Sequence, residues 1–417
     1  MFKLFKQNLK FRFLLMYQFF SSIGGAMFAM FILLSVHLIY QNPIYTGIAG
    51  FLMAAPRIIS FAVGPIVDRR NKLTIIRLTT FLEFMVLSLL AFTPLLDQLG
   101  ILFMFAVVFA YNIAALFENP AGTAMLPQIV HEEEILEANS LINVISMAGG
   151  IAIGIVLLVS LGGDVNFRFL YGFSAVFVAL AFVSSLFLRN AAEVTTTPST
   201  TTDKPAAPQY IQDIKEGAMF IRHNILLYTI LALVIMYFVG EITYVNRPMF
   251  LEYHVGAQGY VLFSLMTLVG GVTASSLVGM LGNKFRVGRL VFALFLVAGV
   301  VRIAFALLVP VHIIGALISM MIFAALALSV EIVFSSLNQK IPPKDMVGRV
   351  DTISRTFLST FVALGAFVGG FLGSIVPDVG HIFIYQGISY LVLGVVIMLI
   401  PSIRKLPKMN DIEKASG

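Results

Sequence analysis

The chain has 417 residues, of which 59% are hydrophobic and 12% charged, and its formal net charge is +6. Soluble domains are about 45–50% apolar and about 25% charged, so a soluble globular fold is excluded and much of the apolar surface must face lipid. The absence of Cys excludes disulfides, thiolate metal sites and Cys nucleophiles; the scattered His residues give no paired-ligand spacing, so no metal and no cofactor is expected.

In chain order, the bases Lys3, Lys6, Lys10 and Arg12 lead into an apolar run that continues to about Tyr40 without a small-residue cleavage site. It reads as a retained first span rather than a removed leader. A span needs about 20 mainly apolar residues. Twelve runs meet that length, over 12–40, 45–67, 74–96, 100–124, 137–161, 167–189, 224–247, 257–281, 287–309, 312–338, 350–376 and 381–402. Breaks fall at Asn42-Pro43, Pro94, Gly162-Gly163 and Pro377, while Pro56 and Pro120 lie within spans and predict kinks there.

Twelve spans put both termini on one side. Nearly all Lys and Arg fall in segments on that side; only Arg168 and Arg247 fall in segments on the other, and Arg57 and Arg302 lie within spans. This asymmetry predicts an N-in, C-in multi-pass protein of the plasma membrane. The net positive charge is then a topology signal, with membrane lipids rather than nucleic acid as its partner.

Between the sixth and seventh spans lies the Thr- and Pro-rich stretch from Thr195 to Pro208, a helix-poor linker. Residues 209–223 follow as an amphipathic helix with Tyr210, Ile211, Ile214, Ala218 and Ile221 on one face, expected on the cytoplasmic membrane surface. The predicted organisation is therefore a six-helix bundle over 1–190, a linker over 191–223 and a second six-helix bundle over 224–417.

Two stretches echo each other about half a chain apart. Gly64-Pro65-Ile66-Val67-Asp68-Arg69-Arg70-Asn71-Lys72 and Gly279-Met280-Leu281-Gly282-Asn283-Lys284 each place a Gly at the end of an apolar run, a polar residue four positions on, and then bases. A repeat on this scale in so apolar a chain points to a secondary transporter. The first stretch resembles the loop signature of the major facilitator superfamily, with Asn71 where a Gly is usual. Glu118-Asn119-Pro120-Ala121, His131 to Asn139 and Asn338 to Val350 resemble the drug:proton antiporter subgroup that includes macrolide-efflux, siderophore-export and lysophospholipid transporters. Many drug antiporters of the superfamily carry an Arg in the fourth span, where this chain has Tyr111 or Asn112.

The resemblance implies an all-α integral membrane protein of twelve transmembrane helices in two pseudo-symmetric bundles. It implies proton-coupled export of hydrophobic or amphipathic compounds by alternating access, and not an enzyme. A monomer is expected. A lipid or lysolipid flippase of the same fold is the alternative, with Gly365, Gly369, Gly370 and Gly373 allowing either close packing or a lateral gap. The resemblance also makes Asp68 a gate residue at a helix start in the other half, with Arg69, Arg70 and Lys72 beside it.

Ionisable groups within spans are costly and so are functional candidates. Glu118, Glu331, Glu241 and Glu83 are candidates to carry a coupling proton, because a carboxylate in a low-dielectric cavity can load and unload a proton near neutral pH. Glu118 and Glu331 occupy nearly equivalent places in the two repeats. Glu83 has a competing reading as a structural partner of Arg57 or Arg77. Arg57 and Arg302 read as charge partners of nearby carboxylates. Helical spacing nominates a cavity lining of Tyr17, Ser21 and Phe28 on the first span, Tyr111 and Asn112 on the fourth, Asn139, Asn143 and Met147 on the fifth, and Tyr237 and Tyr244 on the seventh. Aromatic and Met side chains beside acids suit a bulky amphipathic molecule with a preference for cations. The sequence shows no set of buried bases of the kind a phosphate carrier needs.

Overall fold

The computed structural model describes residues 8–92, 95–131, 134–135, 138–139, 141–142, 145, 149–150, 154, 166–190, 207–282, 284–343 and 346–411. Among them the long elements are all α-helices and no strand occurs. In chain order they are α1 (Leu9–Tyr40), α2 (Pro43–Ala54), α3 (Ser60–Arg69), α4 (Lys72–Phe92), α5 (Leu95–Met125), α6 (Phe167–Leu186), α7 (Ala207–Arg222), α8 (Leu226–Gly282), α9 (Val287–Leu308), α10 (Ile313–Lys340), α11 (Val347–Ile375) and α12 (Gly380–Leu399).

Local sequence sets where these helices begin. Asn8, Asn42 and Asn166 each turn a side-chain oxygen to an open N–H in the first turn of α1, α2 and α6, satisfying a donor that has no intrahelical partner. Pro43 sits at the first position of α2, where its missing N–H costs nothing. Asn71, the residue that departs from the family loop pattern, accepts from the N–H of Leu73 at 2.9 Å and of Thr74 at 3.3 Å. It thereby caps α4. The stretch Ala55–Ile59, containing Pro56 and Arg57, tightens into a 3-10 turn between α2 and α3, as a Pro inside a span predicts.

Among the described residues, ten helices are long and apolar enough to cross a membrane. One of them, α8, runs for 57 residues, about 85 Å at 1.5 Å per residue, far more than the roughly 30 Å hydrocarbon core. Gly256, at φ 73 and ψ 175, breaks it, so α8 supplies the seventh and eighth expected spans. The expected fifth span, 137–161, falls mostly outside the described residues.

The chain divides into two compact units, residues 1–202 and 203–417. In the first unit α4 packs on both α5 and α6, and in the second α9 packs on both α10 and α12. The same pairing thus recurs after half a chain, as the sequence echo leads one to expect. In the second unit α8 and α11 meet across glycines. A Cβ on Gly365 would lie 2.5 Å from the Phe238 carbonyl oxygen, and one on Gly369 2.7 Å from the Val245 side chain. The Asn246 amide donates to the Gly369 carbonyl at 2.7 Å across this seam. At these two glycines the open choice between close packing and a gap is thus resolved as close packing.

Helix α7 packs on α11 within the second unit. Ile221 is buried in a cluster with Leu226, Ile230, Val234 and Val350. Arg349 donates to Glu216 at 2.7 Å. Of the expected apolar face, Ile221 packs on protein while Ala218 is exposed.

Candidate functional site

In the first unit, polar side chains converge on one carboxylate. Glu118 lies in α5, one position after Phe117 and two before the kink residue Pro120, and is 6% exposed. Its Oε1 accepts from the Tyr17 hydroxyl at 2.6 Å and from the Ser21 hydroxyl at 2.6 Å. Tyr17 and Ser21 are four residues apart on α1, so they occupy one face of that helix. Glu83 of α4 is 2% exposed, and its carboxyl lies near that of Glu118. Three helices thus bring two carboxyls, a phenol and a hydroxyl to one buried point. Above it, Phe28 stacks on Tyr111 with ring centroids 3.9 Å apart.

This arrangement corrects the partner expected for Glu83. Arg77 instead donates to the carbonyls of Ser185 and Leu186, at 3.3 and 3.4 Å. Arg57 is exposed on the 3-10 turn and makes no ion pair among the described residues. Depth along the helix made Arg57 a plausible partner; the direction around the helix axis decides against it. Asn112 satisfies its amide within α5, on the Val108 carbonyl at 2.8 Å, and Asn139 is exposed. The side chains of Asp68 and Arg69, and the whole of Asn143 and Met147, lie outside the described residues. Arg70 is exposed at the end of α3, and Lys72 is half-buried at the start of α4.

The second unit holds a cavity of about 320 Å³ between α8, α9, α10 and α12, within the roughly 300–1,000 Å³ usual for small-molecule sites. It is lined by Tyr237, Glu241, Tyr244 and Glu331, all four nominated by the sequence. Glu331 and Tyr237 face this one cavity, at places in the second repeat that correspond to Glu118 and Tyr17 in the first. The lining also includes Thr243, Gln386 and Tyr390, which the sequence reading did not single out. Gln386 is a lone amide in an otherwise apolar helix, and that isolation was the available signal.

Two bases line the same cavity, Arg247 and Arg302, against the expectation of no buried bases. Arg247 had been placed in an outer segment; in fact α8 continues helical through Pro248 as far as the break at Gly256, which turns Arg247 into the bundle. Arg302 is 2% exposed. The expectation of a carboxylate partner for it fails too. Its Nε donates to Gln386 Oε1 and its Nη1 to the Met320 sulfur. The rings of Phe305, Phe323 and Phe383 lie 4.8, 4.5 and 4.9 Å from the guanidinium carbon, so aromatic faces supply the compensation that an acid was expected to give. Gln386 Oε1 also accepts from Thr243 at 3.0 Å.

Two helical units with the same internal pairing, built from membrane-length helices around a buried polar cluster in the first and a polar-lined cavity in the second, define a polytopic membrane protein of the transporter class. The sequence signature of the Major Facilitator Superfamily matches residues 14–359, and the chain belongs to that family. Solved structures agree in fold. The peptide transporter POT in complex with sulfate is similar at a TM-score of 0.72 and 15% identity, with 96% of each chain covered. The nucleoside transporter NupG gives 0.71 at 13% identity, covering 94% of this chain and 99% of that one. A D-xylose-proton symporter gives 0.71 at 14% identity, covering 96% and 97%. No curated protein matches the chain.

Proposed function

We propose that this protein is a proton-coupled antiporter of the drug:proton type, exporting an amphipathic compound across the plasma membrane. The observation that carries the reading is the closeness of Glu83 and Glu118. Two carboxyl groups brought together in an apolar interior repel each other unless a proton is held between them. Such a pair buried among apolar helices is a place where a proton can be held and released as access changes. Tyr17 and Ser21 hold Glu118 ready to accept it. The aromatic and Met lining of the second unit's cavity supports an amphipathic cargo. Asp68, with Arg69, Arg70 and Lys72 beside it, is assigned to the inner gate on the strength of the loop signature alone, and export as the direction rests on the same resemblance.

The test is transport in proteoliposomes with an imposed pH gradient, reading efflux of a fluorescent amphipathic dye together with internal pH. The wild-type chain is expected to move dye and protons in opposite directions. Glu118→Gln keeps the shape and the hydrogen bonds of the site but removes the exchangeable proton, and should abolish gradient-driven dye movement. Undiminished, gradient-driven transport by both Glu118→Gln and Glu83→Gln would overturn the assignment.

A further inference from the structure

The charges around the second unit's cavity are unevenly satisfied. The acids Glu241 and Glu331 line it, and Glu241 has interactions of its own. Its bases meet no acid. Arg302 is compensated only by neutral groups, the Gln386 amide oxygen, the Met320 sulfur and the faces of Phe305, Phe323 and Phe383. Arg247 places its guanidinium carbon 5.0 Å from the Tyr244 ring centroid, and its Nε is buried with no hydrogen-bond partner. Neither base forms an ion pair among the described residues. A buried cation without an anion is costly in a protein interior and more so in a membrane. Arg302, fully buried, and Arg247, half-buried with its Nε sealed from any partner, face one cavity and make a site whose unmet demand is negative charge, and the planar guanidinium fork suits a carboxylate in two-point contact.

We propose that this cavity binds an amphipathic organic anion, with its carboxylate on Arg247 and Arg302 and its apolar body against Phe323, Leu328 and Tyr390, which line the same space. This reverses the preference for cations drawn from the sequence. It rests on the transporter reading only in making the bound anion the cargo.

Equilibrium binding to the full-length chain in detergent tests it, because binding needs neither a gradient nor turnover and so succeeds or fails independently of proton coupling. The probes are radiolabelled hydrocinnamate, its uncharged amide and the matching primary amine, which share one apolar body and differ in charge. The carboxylate is expected to bind at least about tenfold more tightly than either analogue, the scale of one charge-assisted hydrogen bond. Arg247→Gln should erase that preference while leaving amide binding unchanged, and Arg247→Lys, which keeps the charge but not the fork, should retain part of it. Tightest binding of the amine, equal binding of all three, or binding of none to the wild-type chain overturns the proposal. The wild-type comparison stands even where a variant fails to fold.

Discussion

The Tyr17 hydroxyl donates to Glu118 at 2.6 Å, and Tyr237 and Glu331 face one cavity at the corresponding places in the second unit. Each pair takes one residue from the first helix of a repeat and one from its fourth span, so the repeat extends from packing to polar chemistry. Beyond this shared pair the two sites diverge. Glu118 is joined by a second carboxyl, Glu83, whereas the space near Glu331 holds Arg302 and Arg247. In the proposed mechanism this divergence separates the labour: the proton belongs to the first unit, and the cargo's charge to the second.

Replacing Tyr17 with Phe removes a donor to a buried carboxyl while keeping the ring. A hydrogen bond to a charged group contributes about 1.5–3 kcal/mol, and Ser21 remains as the second donor. Tyr17→Phe should therefore lower stability in detergent by roughly that amount without unfolding the protein, as read from the denaturation midpoint. No change in the midpoint would mean that the contact is incidental.

Much of this architecture was legible in the sequence, and the limits of legibility have a physical cause. Apolar run length places spans because a bilayer has a fixed thickness, and helices α1, α4, α9, α10 and α12 all lie over the runs expected to hold them. Spacing of four put Tyr17 and Ser21 on one face, and both meet Glu118. What spacing does not give is the direction of that face. Glu83 was therefore offered to Arg57 or Arg77 when it turns toward Glu118. Arg247 was lost for a different reason. Arg-Pro after an apolar run reads as the end of a span, but α8 carries Pro248 within it and breaks eight residues later, at Gly256.

The cap at Asn71 gives a graded expectation. Loss of an N-cap side chain costs about 1 kcal/mol for Ala but only a few tenths for Gly. Asn71→Ala should therefore destabilise the protein measurably, whereas Asn71→Gly, which restores the residue usual in the family's loop, should nearly match wild type. Thermal unfolding of the two variants side by side checks this; equal loss in both would show that the hydrogen bonds to Leu73 and Thr74 contribute little.

The α8–α11 seam should tolerate no added bulk. A Cβ on Gly369 would already lie within 3 Å of Ile242 backbone, which does not swing aside as a flexible side chain does. Overpacking typically costs about 1–3 kcal/mol, so Gly369→Leu should lower the denaturation midpoint clearly. Gly279→Leu, at a glycine with nothing within 4 Å of its Cβ position, is the control and should change little. Equal effects would show that the seam is not the constraint.

Helix α7 is held to α11 by an ion pair and by packing, and the two contributions should differ. Glu216 and Arg349 are 2.7 Å apart with side chains 47% and 34% exposed. An exposed pair of this kind couples by about 0.2–1 kcal/mol, since water and salt screen it. Gly217, beside it, would place a Cβ 2.8 Å from Ile353 and 3.2 Å from Arg349. A larger residue there must lift the helix away. Lys215 and Arg222 are exposed on α7, so trypsin reports whether it stays docked. Glu216→Ala should raise the cleavage rate within this helix only slightly, and less so at high salt, where the wild-type pair is already weakened. Gly217→Leu should raise it strongly at any salt. If Glu216→Ala proved the more sensitive of the two, the ion pair rather than the packing around Gly217 and Ile221 would be what docks α7.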